Sequence, residues 1–166
     1  MPKISVKEIQ NISETALVQH GALDWISQQV ADAVAASESV GNRICGLYYL
    51  ESYCEQLLSG RVNGKASPNV QLVRSGSVYV DADDGFAQPA FSKGLPEALK
   101  LAKKNGIASL SVGRAHTCTS LGYFTKKIAE AGFLGLGLTN ASPMVAPPGG
   151  KSRIIGTNPI AFSVPD

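Results

Sequence analysis

The chain has 166 residues, of which 44% are hydrophobic and 17% charged, with a formal net charge of +2. That length supports one domain, or one and a fraction, with a real hydrophobic core, and so small a charge argues against a nucleic-acid partner. No apolar run is long enough to span a bilayer, the N-terminus MPKISVKEIQ lacks a signal-peptide core, and three scattered cysteines, Cys45, Cys54 and Cys118, form neither a zinc spacing nor a disulfide framework.

A reducing cytoplasm is therefore the expected location. In chain order, Ser5 followed by Glu8 has capping-box spacing and opens a helix with Ile9, Ile12, Ala16 and Leu17 on its apolar stripe, closed by Gly21. Asp24 is positioned to cap a second helix through Trp25, Ile26, Val30, Ala33 and Val34. A third helix is predicted from about Cys45 to Leu58, stopping at Gly60. The composition of 60–68 reads as a linker, which divides the chain into a helical module, 1–66, and a second domain, 67–166.

Beyond it, Asn69–Arg74 and Ser77–Asp81 alternate with period two around Ser75-Gly76, a β-hairpin pattern. Gly85 to Asn105 repeats apolar residues at helical spacing; Pro89 suits a first turn, while Gly94 and Pro96 predict a kink or break. The stretch 106–148 then reads as strand, polar loop, helix, strand, polar loop. Two apolar runs, Ile107–Val112 and Phe133–Leu138, are expected as buried strands. If they are parallel neighbours, both loops leave the same sheet edge, where α/β proteins bind ligands. The first loop, 114–120, also opens a helix, whose free N–H groups favour an anion. Ile160–Val164 is a last strand that expects a neighbour, so the chain reads as the N-terminal portion of a longer protein.

Candidate chemistry gathers in that first loop. His116, a residue of near-neutral pKa at a strand end, suits acid–base work or helix capping. Thr117, Thr119 and Ser120 offer hydroxyls for a cap or a phosphate. Cys118 lies at a helix start, where a thiol pKa is lowered, or is simply a small packed side chain; Cys45 presents the same choice. His20, at a helix end, reads as structural. No GxGxxG follows any strand, and Walker, HExxH and GxSxG motifs are absent.

Several blocks resemble the malate/L-lactate dehydrogenase family of NAD(P)-dependent oxidoreductases. They are Gly46-Leu47, Asp81-Ala82 with Gly85-Phe86-Ala87, Gly106-Ile107-Ala108, Ala129-Glu130-Ala131-Gly132, Thr139-Asn140-Ala141, Ala146-Pro147-Pro148-Gly149-Gly150 and Gly156-Thr157-Asn158-Pro159-Ile160-Ala161-Phe162. Their order and spacing cover nearly the whole chain, and the TNA and APPGG wording is similar to the Δ1-piperideine-2-carboxylate/Δ1-pyrroline-2-carboxylate reductase branch.

The resemblance implies an α/β fold in which an N-terminal helical module accompanies a non-Rossmann α/β cofactor domain, incomplete in this chain. It implies a homodimer and NADPH or NADH as cofactor. It also implies a small carboxylate substrate, with no nucleic acid or membrane partner: a cyclic imino acid, or alternatively a 2-oxo acid of the malate or lactate type. It places cofactor contacts at Thr117, Cys118, Thr119, Ser120 and Leu121, and substrate contacts at Tyr49, Asn140, Ala141 and Pro143. Where the family carries Ser-His-Gly and an Arg four residues after the His, this chain has Ile44, Cys45 and Tyr49. Ile44 cannot move a proton. That leaves Cys45, His116 and Thr117 as candidate catalytic residues, and a cofactor-binding relative without catalysis as a further alternative. Arg43, Arg74, Arg114 and Arg153 are candidates to replace the missing carboxylate anchor.

Overall fold

The structure, a computed structural model, describes residues 3–166. It separates into two compact units, Met1–Ser120 and Leu121–Asp166. The boundary expected after Ala66 thus falls inside the first unit.

The first unit begins with α1 (Val6–Gln19) and α2 (Asp24–Ser39), followed by a 3₁₀ turn over Arg43–Cys45 and α3 (Leu47–Leu58). The capping box of α1 is complete: Ser5 accepts from the Glu8 amide, and the Glu8 carboxylate accepts from the Ser5 amide. At α2 the N-cap is Leu23 rather than Asp24. The Leu23 amide donates instead to the Gly64 carbonyl at 2.9 Å, so the connection between α3 and the first strand sets the entry of α2. That connection, a linker by composition, is ordered: Val62 and Ala66 are 2% and 4% exposed, and Asn63 bonds the Asp83–Asp84 turn. Ile26, Val30, Tyr53, Leu57, Val62 and Phe86 share one core across α2, α3, this segment and the start of the next helix.

The hairpin forms as expected. β1 (Asn69–Arg74) pairs antiparallel with β2 (Ser77–Asp81), with a bulge between Leu72 and Arg74. β1 is exposed along its whole length, whereas β2 buries Val78 and Val80. α4 (Ala87–Asn105) lies against β2 and β3 (Ser109–Gly113), packing Ala90 and Ala98 on Val78, Val80 and Ala82. α4 is one continuous helix through Gly94 and Pro96, so of the kink or break expected there the break does not occur. Pro96 lacks the N–H that would bond Ser92, but both residues are exposed, so water can satisfy the freed carbonyl. Gly94 is needed for close approach: a Cβ there would stand 2.5 Å from Val80 Cγ2. β2 and β3 are parallel, joined through α4.

The second unit holds α5 (Leu121–Glu130), β4 (Gly135–Leu138) and β5 (Ile160–Ser163). Gly135 and Gly137 let β4 approach α5: added Cβ atoms would stand 2.7 Å from the Thr125 carbonyl and 2.9 Å from Thr125 Cγ2. β4 pairs antiparallel with β5. The two apolar runs are therefore not parallel neighbours: β3 belongs to the sheet β1-β2-β3 and β4 to the sheet β4-β5. Local apolarity marks a strand but does not specify its partner. Nor is either strand buried throughout. Ser109 and Ser111 of β3 are exposed, Ile107 ahead of the strand is 78% exposed, and Leu136 and Leu138 of β4 are 63% and 68% exposed. Among the described residues, no helix is long and apolar enough to cross a membrane.

Candidate functional site

The site is built where the loop after β3 meets α3 and the first turn of α4, all within the first unit. Leaving β3, the chain passes Gly113, where a Cβ would strike the Tyr79 ring, and then Arg114 at φ 50°. The Arg114 guanidinium reaches Asp81 at 3.2 Å, Asp84 at 2.6 Å and Asp83 at 3.7 Å. It holds the Asp84 carboxyl below its ordinary pKa, chiefly through the hydrogen bond. With three carboxylate partners, Arg114 pins the loop to the turn after β2 and drops out as a substrate-carboxylate anchor.

His116 is fixed by its backbone. Its amide donates to the Gly85 carbonyl at 2.8 Å and its carbonyl accepts from Ala87 at 3.1 Å, a parallel bridge across Phe86. Its imidazole is half-buried. Burial first, and the positive charge of Arg61 second, hold its pKa below the ordinary histidine value. The ring is therefore neutral at pH 7, suited to accept a proton rather than to supply one.

The next residues turn onto α3. Thr117 and Thr119 have φ of 41° and 49°, the left-handed region that side chains with a Cβ rarely adopt. Thr119 Oγ1 lies 2.9 Å from the Tyr53 hydroxyl. Gln88, 1% exposed in the first turn of α4, directs its amide Nε2 to the Thr117 and Cys118 carbonyls, both at 3.4 Å, and to Tyr53 Oη at 3.5 Å. Gln88 Oε1 is buried with no hydrogen-bond partner among the described residues. Tyr53 is fully buried, edge-on to Tyr49 and Phe86 with ring centroids 5.2 and 5.3 Å away. Burial pushes its phenol far above the ordinary value, which the bonds from Thr119 and Gln88 only partly offset.

Asn42 closes the other side, its Nδ2 donating to Ser120 Oγ at 3.5 Å. Cys45 is half-buried beside it. Burial raises the Cys45 thiol pKa; the Asn42 side chain opposes this and Cys118 adds to it. The activated thiol considered for a cysteine opening a helix is not what Cys45 is: desolvation outweighs the turn it sits on, and the thiol stays protonated at neutral pH. α3 itself starts two residues later, with the Leu47 amide donating to Glu38 Oε1 at 2.8 Å. Gly46 leaves the room that carboxylate needs.

The structure thus brings Cys45, Tyr49, Thr117, Cys118, Thr119 and Ser120 around Tyr53 and Gln88, with His116 on the same loop. Leu121, Asn140, Ala141 and Pro143 belong to the second unit. There Leu121 packs against Gly137, and the Ala141 amide donates to Asn158 Oδ1 at 2.9 Å, tying the TNA loop to the GTNP loop. Ile44 is 70% exposed and takes no part in the core. Sequence reasoning missed Asn42, Tyr53 and Gln88. Tyr53 follows Cys45 and Tyr49 at spacings of eight and four, one face of a helix, and Gln88 interrupts an otherwise apolar run; both signals were readable. Among the described residues no group of three or more His, Cys, Asp or Glu is placed to hold a metal.

Helices packed beside a small mixed sheet make an α/β scaffold, and the hydroxyls, amides and thiols around the post-strand loop make that place the candidate site. The chain belongs to the malate/L-lactate dehydrogenase family, whose model matches residues 4–166. It is 32% identical over 163 residues to a Δ1-pyrroline-2-carboxylate/Δ1-piperideine-2-carboxylate reductase of Pseudomonas putida, covering 98% of this chain and 48% of that protein. To a malate dehydrogenase of Pyrococcus abyssi it is 33% identical over 165 residues, 98% of this chain and 45% of the other. The crystal structure of the Δ1-piperideine-2-carboxylate reductase from Pseudomonas syringae superposes with a TM-score of 0.93 at 31% identity, covering 99% of this chain and 50% of that one. The chain spans about half the length of the curated relatives it matches.

Proposed function

We propose that this chain serves an NAD(P)H-dependent oxidoreductase that reduces a small cyclic imino acid of the Δ1-pyrroline- or Δ1-piperideine-2-carboxylate type. The observation that carries the reading is the convergence of Cys45, Tyr49 and the 117–120 loop at one place, the positions that the family resemblance assigns to substrate and cofactor. The reductase name of the Pseudomonas relatives supports the imine over other substrates. The reading extends to a homodimer, on family resemblance, and to the cytoplasmic location expected from the scattered cysteines.

The residues present fit a dinucleotide. Thr117, Thr119 and Ser120 carry hydroxyls on a loop whose left-handed turns are held from beneath, and the orphaned Gln88 acceptor marks a polar interior. Thr117 to Leu121 would hold the cofactor, which when bound supplies a hydride to the C=N carbon beside the substrate carboxylate. The imine nitrogen then takes up a proton. Cys45, kept protonated by burial, is the group suited to donate it, and Tyr49 hydrogen-bonds the substrate from one turn further along α3. The Cys45 thiolate then regains its proton from water, and His116, neutral at pH 7, is suited to accept a proton in the oxidative direction. Asn140, Ala141 and Pro143 are assigned to the substrate side.

A second reading, a dinucleotide-binding relative without catalysis, is favoured by one observation: Ile44, where the resemblance places the family's serine, is exposed and has no group that moves a proton. Cys45→Ala separates the two. On the first reading it abolishes imine reduction and leaves dinucleotide binding intact. On the second, wild type and variant bind dinucleotide alike and neither turns over.

A further inference from the structure

Two buried side chains outside the assigned site, Tyr53 and Gln88, hold the loop that carries the site. We infer that Tyr53 and Gln88 are positioning residues that fix Thr117 and Thr119 in the left-handed conformation needed to present the 117–120 loop to the dinucleotide. The inference rests on the proposed dinucleotide reading.

Two non-glycine residues within three positions adopt φ of 41° and 49°. Such a conformation persists only where its surroundings over-determine it. Here the ties are specific. The Tyr53 hydroxyl meets Thr119 Oγ1 at 2.9 Å, and that same Oγ1 donates to the Cys118 carbonyl at 2.9 Å, closing the turn on itself. Gln88 Nε2 sits under the two preceding peptides, 3.4 Å from the carbonyls of both Thr117 and Cys118. Each carbonyl so held turns its peptide over, which aims the following N–H away from the Gln88 side.

The anchors themselves are rigid. Tyr53 is fully buried against Phe86, and Gln88 stands one residue beyond Ala87, whose amide is bonded to His116. The loop is thus clamped at His116 by backbone and at 117–119 by two side chains. Neither Tyr53 nor Gln88 has the exposure to touch a ligand, so their effect on one passes through the loop.

The test uses Tyr53→Phe, Thr119→Val, Thr119→Ser and the Tyr53→Phe/Thr119→Val double variant of the full chain, with NADPH and NADH titrated by nucleotide fluorescence. Tyr53→Phe weakens dinucleotide binding about fivefold, the loss of one net hydrogen bond, and Thr119→Val, which also loses the bond to the Cys118 carbonyl, weakens it at least as much. The double variant loses no more than Thr119→Val alone, because Tyr53→Phe then removes a bond already broken. Thr119→Ser, which keeps the hydroxyl, binds within about twofold of wild type by the same reasoning. In turnover, Tyr53→Phe raises KM for the dinucleotide and leaves the pH profile of kcat unmoved, since Tyr53 transfers no proton. Gln88→Met weakens binding as well; if it fails to fold, the Thr119 pair still decides. Additive losses, unchanged affinity in Tyr53→Phe, or a displaced pH profile overturn the inference.

If the wild-type chain binds neither dinucleotide, the proposed function fails, and mass-detected hydrogen exchange of the peptide covering 114–120 judges the clamp alone. Faster exchange in Tyr53→Phe and Thr119→Val, restored by Thr119→Ser, upholds it. Equal rates in all four overturn it.

Discussion

Gly94→Ala sets two effects of known size against each other in the helix that carries Gln88. Alanine in a helix interior is favoured over glycine by about 1 kcal/mol. Against that gain, the new methyl would lie 2.5 Å from Val80 Cγ2 and 2.7 Å from Leu110 Cδ1. Val80 is fully buried on the central strand β2 and has one branched, stiff side chain, so it cannot swing aside. Overpacking of this kind costs about 1–3 kcal/mol. The clash outweighs the propensity, and Gly94→Ala should destabilise the first unit by about 1 kcal/mol. The single tryptophan, Trp25, reports on this directly, because it packs at the edge of the first unit's core with Lys93 Nζ 5.1 Å from its ring. Urea unfolding followed by Trp25 fluorescence should show the midpoint falling by about 0.5 M at an ordinary slope. Removing the obstacle should restore part of the loss. In a Val80→Ala background, Gly94→Ala should be at least about 1 kcal/mol less harmful than in wild type, the coupling expected of side chains in contact. A raised midpoint for Gly94→Ala alone, or strict additivity with Val80→Ala, would refute the reasoning that the glycine is there for close approach of helix and sheet.

Gly135→Ala tests the same principle in the second unit, where the added Cβ meets the Thr125 carbonyl and Ile128 Cβ; a loss of about 1–3 kcal/mol is expected in thermal unfolding. His116 supplies a pH dependence. Its folded pKa lies below the unfolded one, so the unfolded chain binds more protons between the two values and stability falls as pH drops below about 6.5. His116→Gln should remove that slope from a series of denaturation curves across pH 5–7.5. Cys45, its thiol pKa raised by burial, should alkylate slowly with iodoacetamide at pH 7 and rapidly only above the usual thiol range; fast labelling at neutral pH would contradict its assignment as a protonated donor. Asp84, whose folded pKa is lowered by Arg114, contributes stability above its unfolded pKa that is lost as pH falls through the folded one. Arg114→Gln should therefore show a weaker fall in stability between pH 4 and 2 than wild type.

Local chemistry in the sequence was enough for the elements. The Ser5–Glu8 box starts α1 where its spacing places it, and the period-two pattern around Ser75-Gly76 yields both strands of the hairpin with their limits. What local pattern does not encode is which strands pair. Ile107–Val112 and Phe133–Leu138 carry the same apolar signature, yet one joins β2 and the other β5, because pairing is settled by packing over long separations. The break expected in α4 fails for a similar reason: Pro96 falls where its ring and the freed Ser92 carbonyl face water, and Gly94 where small size is an asset. At the candidate site, Cys45 and the 117–120 residues were singled out by their position at a helix start and on a loop, and Tyr49 by the family resemblance. The supporting Tyr53 and Gln88 were not: helical spacing and a polar residue in an apolar run mark them locally, but what they hold is set by partners 66 and 29 residues away. Arg114 looked like a free cation until Asp81, Asp83 and Asp84 were seen around it.

The central claim, that this chain serves reduction of a cyclic imino acid with Cys45 supplying the proton, is tested most directly by nucleotide consumption. NADPH and NADH oxidation would be followed at 340 nm with Δ1-pyrroline-2-carboxylate, Δ1-piperideine-2-carboxylate, pyruvate and oxaloacetate side by side, for wild type and Cys45→Ala. The expected result is turnover on a cyclic imine that exceeds turnover on either 2-oxo acid and disappears in Cys45→Ala. Dinucleotide binding without turnover on any of the four, or imine reduction that persists undiminished in Cys45→Ala, would contradict it.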